Sequence, residues 1–379
     1  MKKFDVVILG GGAAGSMCAL SAKGKKIAVV DAGNRIAKKL MVTGNGRCNL
    51  TNQNVNSNFY NTNLDKFFSR FDGKHTLSFF EDLGLETYAD EEGRVYPLSN
   101  TAKSVVDVIE SNLQCDIFLG EKAEKLSHEN GLFYIKTEKE VFEAQKLVLA
   151  IGGNCEWCFE DLGLKFSKFR PSLVGLQSKD TRDLNGVRLS NVKVTAKTSS
   201  GTEKTEVGEV QFRENGISGI VVFNMSALFA RENNYKGEIE IDLLPQLFEK
   251  QVAEKIIKRK NSSMKLDKLF VGMFHNAVAN EIFKQAKLNT NKACETLTDE
   301  EAQKLAHAIK FLHFSVCGAC ENNQIYAGGI ELNDLTENLE SKKIKGLYVV
   351  GEAVNVDGVC GGYNLQWAWT SGHIVGEQL

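Results

Sequence analysis

The 379-residue chain has 46 Lys and Arg against 48 Asp and Glu, a formal net charge of −2, which excludes a global basic field for nucleic acid and leaves only local patches for such contacts. At 42% hydrophobic and 25% charged residues it is no disordered chain, and its length allows two or three subdomains with a sizeable core. No stretch approaches the roughly 18 uninterrupted apolar residues that span a bilayer, and Asp5 and a glycine run interrupt any secretory segment after Met1-Lys2-Lys3, so a cytoplasmic protein is expected.

The chain opens with an apolar strand, Phe4 to Leu9, that runs into Gly10-Gly11-Gly12-Ala13-Ala14-Gly15, a small-residue helix, and a second apolar run, Ile27 to Asp31. Strand, G-x-G-x-x-G, helix and strand ending in an acid form the pattern of a dinucleotide-binding βαβ unit. Gly10 permits the tight turn, Gly12 lets the backbone approach a pyrophosphate, and Gly15 lets the helix lie close to the strand. The helix N-terminus at Ala13 and Ala14 offers amide donors and a favourable dipole to phosphate. Asp31, with Ala32 beside it, is placed to accept from an adenosine ribose. The alternative, a glycine-rich turn of some other α/β protein, leaves the acid and the order of elements unexplained.

Next comes Lys38-Lys39-Leu-Met-Val-Thr-Gly44-Asn-Gly46-Arg47-Cys48-Asn49-Leu-Thr51-Asn52, a glycine-rich polar loop of the kind that wraps a flat, polar-edged ligand; a plain surface loop is its other reading. The pattern K-L-x-x-[ST]-G-x-G-R-C-N-x-T-N resembles the signature of the bacterial aminoacetone-oxidase-like or bile-acid-pathway-like FAD-binding oxidoreductases, a family that includes ribosomal RNA dihydrouridine synthase-like members. The resemblance implies FAD as cofactor and places Lys39, Gly44, Gly46, Arg47, Cys48 and Asn49 beside it.

Residues 63–115 read as mostly helical, with Phe67, Phe68, Phe71, Leu77, Phe79, Phe80 and Leu83 at helical spacing as core, and a further helix over 101–109. Strands are expected over 115–120 and 133–137. By resemblance, Ala123 lies where related enzymes hold adenine. The run Leu147 to Gly153 resembles the strand that closes the first pass through such an FAD domain, which puts Ala150 and Gly152 at the cofactor; Ile151 stands where the family has Thr. From 166 the pattern changes to short alternating strands over 186–195, 205–212, 219–224 and 237–243, which suggests a small β-barrel. Within it Gly216-Ile-Ser218-Gly219 resembles the family's G-L-S-G-P turn, with Ile220 for Pro. Residues 244–314 read as helical, with a lysine-rich stretch over 250–268 whose plain reading is a solvated face.

The closing stretch Gly346 to Gly372 holds a strand ending in Gly351-Glu352, a glycine loop through Asp357 to Gly362, and a helix opening at Tyr363-Asn364-Leu365. This repeats the N-terminal logic at the other end of the cofactor, where a helix N-terminus favours the charge of a reduced flavin. The resemblance covers essentially the whole chain.

Nine cysteines in a chain with a core of this size do not form a secreted disulfide scaffold. Two C-x-x-C pairs stand out, Cys155/Cys158 and Cys317/Cys320; they are open to a four-thiolate zinc site, an iron-sulfur cluster, a redox dithiol or four unrelated thiols. Cys48 and Cys360 sit in expected flavin loops, with small-residue packing as their plain reading. Among the histidines, His313 is the one worth checking as a ligand.

The expected fold is α/β: a discontinuous two-dinucleotide-fold, Rossmann-like FAD domain (1–168 and 327–379), an inserted β-barrel (169–243 and 312–326) and a nested helical subdomain (244–311). The expected function is an FAD-dependent oxidoreductase, foremost an NAD(P)H-dependent reductase of a carbon-carbon double bond. Alternatives are a ribosomal RNA dihydrouridine synthase acting on uridine, an oxygen-using amine oxidase, and a non-catalytic FAD redox sensor. Arg47, Cys48, Asn49 and Asn364, with Gln366, are the candidates for catalysis or hydrogen bonds at the flavin edge. A single G-x-G-x-x-G leaves NAD(P)H without a domain of its own, as a transient donor.

Overall fold

In the computed structural model, which describes residues 1–153, 155–260 and 264–379, the first apolar run becomes the strand β1 (Lys2–Leu9), with Val6, Val7 and Ile8 fully buried. A strand covered on both faces is what a continuous apolar run specifies, since a half-exposed strand would alternate. β1 lies between two parallel partners, β2 (Ile27–Asp31) and the strand Val141–Leu149. Helix α1 (Ala13–Ser21) makes the crossover from β1 to β2, and Asp116–Leu119 continues the parallel order beyond β2.

The far side of Val141–Leu149 is shared. Residues 141–144 pair with the antiparallel strand Leu132–Thr137, and residues 147–149 with the parallel strand Leu347–Val349 from the other end of the chain. Ala123–Glu129 forms the edge. Among the described residues this makes a seven-stranded sheet, and the carboxyl ends of β1, β2 and Val141–Leu149 lie together, where open α/β sheets take their ligands.

The two chain ends are packed backbone against backbone. On the C-terminal helix Tyr363–Gly376, a Cβ at Gly372 would overlap the Ala14 carbonyl oxygen, and one at Gly376 would stand 2.6 Å from the Cys18 carbonyl oxygen. The buried indoles are satisfied: Trp367 Nε1 donates to Gly351 O at 3.0 Å and Trp369 Nε1 to Leu50 O at 2.8 Å. Such pairing keeps their burial favourable.

The chain divides into two compact units, Met1–Arg170 with Ile325–Leu379, and Pro171–Gln324. In the second, seven antiparallel strands run in the order Leu312–Val316, Gly237–Asp242, Arg188–Thr198, Glu203–Arg213, Gly216–Ser218, Leu176–Gln177, Gly318–Ala319. The strands at the two ends of this order are consecutive in the chain, separated by Cys317 alone. Two residues span only about 7 Å, so the sheet curls back on itself as a small barrel does. Phe212, Phe229, Ile239, Ile241 and Phe314 fill its core. Three helices, Glu249–Lys258, Asn276–Gln285 and Asp299–Lys310, lie in sequence between two of its strands. Lys310 anchors the last: its Nζ pairs with Asp242 at 2.6 Å and donates to the carbonyls of Leu244 and Leu247 at 2.9 and 2.5 Å. Parts of two expected stretches, Asn154 and residues 261–263, lie outside the described residues.

Two local expectations are corrected. Residues 219–224 are no strand: Gly219, at φ 117°, turns the chain into the helix Ile220–Arg231, whose Val221, Val222, Met225 and Phe229 are buried at helical spacing. The β-branched run suits a strand, but its apolar period extends past the run and is helical. Residues 63–115 contain, besides helices, two strands, Thr87–Ala89 and Arg94–Pro97, which form a three-stranded sheet with Thr51–Asn52.

The packing of the chain ends gives the first prediction. Gly372→Ala forces a methyl against the Ala14 carbonyl and should cost about 1–3 kcal/mol, read as a lowered urea midpoint of the FAD-free protein. A midpoint unchanged from wild type would show that the two helices are not in backbone contact.

Candidate functional site

The site begins at the turn after β1. Gly10 has φ 104°, and a Cβ there would overlap the Ala150 carbonyl oxygen. A Cβ on Gly15 would overlap the Gly10 carbonyl oxygen and meet the Ala150 Cβ at 3.1 Å. Both glycines are therefore required by the protein itself. Gly12 is different: its backbone is ordinary, at φ −72° and ψ −166°, and a Cβ there would meet nothing within 4 Å. No neighbour requires a glycine at this position, and the bare backbone leaves room for a group that approaches from outside. Gly12 is also the N-cap of α1 and supplies no side-chain cap, which leaves the first-turn amides at Ala13 and Ala14 open to an anion.

Asp31 closes the turn. Its Oδ2 accepts from Gly11 N–H and its Oδ1 from Gly33 N–H, each at 2.6 Å. Each oxygen retains a second lone pair for a further donor. Glu121 N–H donates to Asp31 O at 3.0 Å and Gly120 N–H to Gly33 O at 2.8 Å, so the segment leading to Ala123 runs beside Asp31 and Ala32.

A second cluster forms around Glu352. Its Oε1 accepts from Tyr326 N–H at 2.6 Å and its Oε2 pairs with Lys39 Nζ at 3.3 Å. Gly152 and Gly153 lie under it: Cβ atoms there would come within 3.6 Å and 2.9 Å of the carboxylate, and Gly153 also faces the Tyr326 ring. Gly351 N–H donates to Ser371 Oγ at 2.9 Å, which ties this cluster to the C-terminal helix. Tyr326 was missed in the sequence; its signal is its place just before Ala327-Gly328-Gly329.

The loop Gly44–Asn52 and the loop Asn355–Gly362 hold each other. The Asn49 amide accepts from Gly362 N–H and donates to Thr51 O, both at 3.1 Å. Asn52 Nδ2 donates to Gly361 O at 3.0 Å. Asn364 accepts from Gly358 N–H and donates to Gly358 O, both at 2.9 Å, so it closes its own loop. Asp357 is buried, and its N–H donates to Asn61 Oδ1 at 2.9 Å. Tyr363 stacks on Phe59 with ring centroids 4.5 Å apart, and the half-buried Leu365 follows it on the helix. Gln366 is corrected: fully buried, it accepts from Thr51 and Thr76 hydroxyls at 2.5 and 3.0 Å and donates to Thr370 at 3.0 Å, so its amide faces the interior and serves packing there. Arg47 is half-buried with its guanidinium carbon 4.3 Å from the centre of the Tyr96 ring. Tyr96 was not foreseen either, because the short strand that carries it has no period to read.

The thiols divide by environment. Cys48 is fully buried, and burial pushes its thiol up to about 12 against a contrary hydrogen bond with Thr43; it stays protonated at neutral pH. Burial also raises the Cys155 and Cys158 thiols, helped by Glu352 beside the first and by Cys155 beside the second. Cys317 is exposed, and burial raises the half-buried Cys320. A redox dithiol needs a lowered thiol pKa. The expected four-thiolate metal site also lacks support: among the described residues no group of three or more His, Cys, Asp and Glu is arranged to hold a metal ion. His313 instead lies 3.4 Å from Glu238.

The family model described as HI0933-like protein Rossmann domain matches residues 4–378. The chain belongs to this family. It is 31% identical, over 98% of its length and 97% of the relative's, to the 3-dehydro-bile acid delta(4,6)-reductase of Clostridium scindens. It is 25% identical to the ribosomal RNA dihydrouridine synthase of Haemophilus influenzae, over 97% of this chain and 96% of that one. The solved 3-ketosteroid delta1-dehydrogenase of Sterolibacterium denitrificans superposes with a TM-score of 0.50 at 11% identity, over 100% of this chain and 99% of that one; at that identity the likeness concerns the fold. With the dinucleotide turn described above and a family match from end to end, the chain is an FAD-dependent oxidoreductase. No helix of the described residues is long and apolar enough to cross a membrane.

Two predictions follow from this geometry. Gly12→Val should cost the FAD-free protein no more than about 1–2 kcal/mol, the loss of a favourable N-cap, so that it still folds, yet weaken FAD binding at least about tenfold, read by quenching of flavin fluorescence; unchanged affinity would remove Gly12 from the site. For Cys48 the folded state holds the thiol protonated, so its contribution to stability is complete below the ordinary value of 9.0 and is lost as pH rises from there towards about 12. Cys48→Ala should therefore flatten the fall of unfolding free energy above pH 9 by up to about 1.4 kcal/mol per pH unit, and identical slopes would contradict the burial of that thiol.

Proposed function

We propose that this protein is an FAD-dependent reductase of a carbon-carbon double bond conjugated to a carbonyl group, with NAD(P)H as the source of electrons. The observation that carries the reading is Gly12, a glycine that no neighbour requires, at the open N-terminus of α1, in a chain related from end to end to a protein named as a delta(4,6)-reductase.

The residues present fit FAD. Gly10, Gly12, Ala13, Ala14 and Gly15 would receive the pyrophosphate, where backbone amides and the helix dipole favour negative charge. Asp31 and Ala32, with Ala123 nearby, would hold the adenosine end. Lys39, Ala150, Gly152, Gly351 and Glu352 would line the path between, and Gly44, Gly46, Arg47, Cys48, Asn49, Asp357, Gly362, Tyr363, Asn364 and Leu365 would border the ring. Bound FAD supplies two-electron hydride chemistry that no side chain provides. The chain's own part is to bind, orient and set charge. Asn49 and Asn52 fix the two glycine loops against each other and Asn364 closes the second on itself, so the loop amides are positioned before a ligand arrives. The protonated Cys48 thiol adds no negative charge beside them.

A second reading, a ribosomal RNA dihydrouridine synthase, has one feature in its favour. Lys250, Lys255, Lys258 and Lys265 are exposed and have no ion-pair partner among the described residues, which suits phosphate contacts. The uracil double bond is also conjugated to a carbonyl, so the two readings share their chemistry and differ in what is bound.

Anaerobic stopped-flow spectroscopy tests the reading. NADH or NADPH should bleach the flavin, and a 3-oxo-4,6-diene bile acid should restore its colour faster than oxygen does. Restoration by uridine-containing ribosomal RNA fragments alone would select the second reading. Bleaching by small amines and not by nicotinamides would make the protein an oxidase and overturn both.

A further inference from the structure

We infer that Arg47 is the group that holds the carbonyl oxygen of the substrate. The inference rests on the reductase reading above and assigns a residue to a step that reading leaves open.

The guanidinium of Arg47 is fixed at its inner end only. Its face packs on Tyr96, with 4.3 Å from the central carbon to the ring centre, and Nε donates to Gly44 O at 3.4 Å. Tyr96 is itself held, 4% exposed, on a strand paired to both sides. A guanidinium stacked on an aromatic face keeps its plane and presents its outer nitrogens edge-on. Those two terminal nitrogens make no hydrogen bond among the described residues. Arg35 and Arg94, by contrast, are closed by carboxylates, and Arg259 donates to the carbonyls of Leu269 and Val271. Arg47 thus has a fixed orientation, a permanent charge and a free fork.

Its place in the fold says what the fork serves. Arg47 lies between Gly46 and Cys48 on the loop that Asn49 and Asn52 fasten to Gly361 and Gly362 at the start of the C-terminal helix. Two large aliphatic residues close to Arg47 or Tyr96 in the chain are exposed: Val42, five residues before Arg47, is 76% exposed, and Leu98, two residues after Tyr96, is 64% exposed. Exposed aliphatic side chains on the segments that carry Arg47 and its stacking partner Tyr96, together with a cation whose terminal nitrogens are open, suit a ligand with an apolar body and a single polar oxygen. A conjugated ketone has that form.

The chemistry requires such a group. Bound FAD would supply the hydride; its addition to the carbon β to the carbonyl would move the double-bond electrons to the oxygen as an enolate, and water would then protonate the α carbon. The oxygen gains a full negative charge before the proton arrives. A preset cation aimed at that oxygen stabilises the transition state more than the ground state, so its loss appears in kcat more than in KM.

The test combines labelling with kinetics on the FAD-loaded enzyme. Phenylglyoxal, which modifies arginines with free terminal nitrogens, should label Arg47 ahead of Arg35 and Arg94 by peptide mass spectrometry, and a 3-oxo-4,6-diene bile acid should protect it. With the flavin first reduced by dithionite, reoxidation by the enone should slow by about 100-fold in Arg47→Met and by less in Arg47→Lys, with KM changed much less. Equal reoxidation rates in wild type and both variants, or labelling that the enone does not slow, would overturn the role of Arg47 and leave the reductase reading standing. A wild-type enzyme that no enone reoxidises would overturn the reading itself, and with it this inference, before any variant is compared.

Discussion

The structure of the first unit depends on backbone meeting backbone without side chains between. Gly15 lies on Gly10, Gly10 on Ala150, and Gly372 on Ala14, each so close that a methyl group has no room. Through these contacts β1, α1, the strand Val141–Leu149 and the C-terminal helix share one seam, although they come from both ends and the middle of the chain. Close approach of this kind removes the side-chain layer that normally separates a helix from a sheet, and brings the α1 N-terminus to the carboxyl ends of the strands. The proposed cofactor site lies on that seam.

Around it, polar side chains do the work of positioning. Asp31 gathers the amides of Gly11 and Gly33, Glu352 joins Tyr326 to Lys39, Asn49 and Asn52 fasten one glycine loop to the other, and Asn364 closes its own. A glycine-rich loop has high conformational freedom when alone, and each of these bonds removes some of it in advance. Arg47 departs from this pattern, with an oriented charge whose outer donors are left over.

How much of this was legible in the sequence depends on range. The βαβ turn and its acid could be read because the glycines, the helix and the acid follow one another within about thirty residues in a fixed order, and continuous apolar runs announced the buried strands. The family resemblance extended that reading to both ends of the chain. What escaped depends on direction in space. Gln366 and Asn364 share one short motif, yet Gln366 turns into the interior and Asn364 back to its own loop, which spacing alone cannot tell. The strand with Tyr96 has four residues, too few for a period, and so the partner of Arg47 stayed hidden. The β-branched residues 220–222 favoured a strand locally, and only burial along the whole helix decided otherwise. The two C-x-x-C pairs showed the reverse failure: a regular spacing invited a metal site for which the fold offers no gathered ligands among the described residues.

The central claim is that the open turn after β1 is where FAD is held. Hydrogen-deuterium exchange of the FAD-free protein, with and without added FAD, tests it without reference to any substrate. Protection of the amides from Gly11 to Ser16 and around Asp31 to Gly33, together with those of the Gly358–Tyr363 loop, is the predicted result. Binding that leaves the amides of Gly12, Ala13 and Ala14 exchanging at their FAD-free rate would contradict the account.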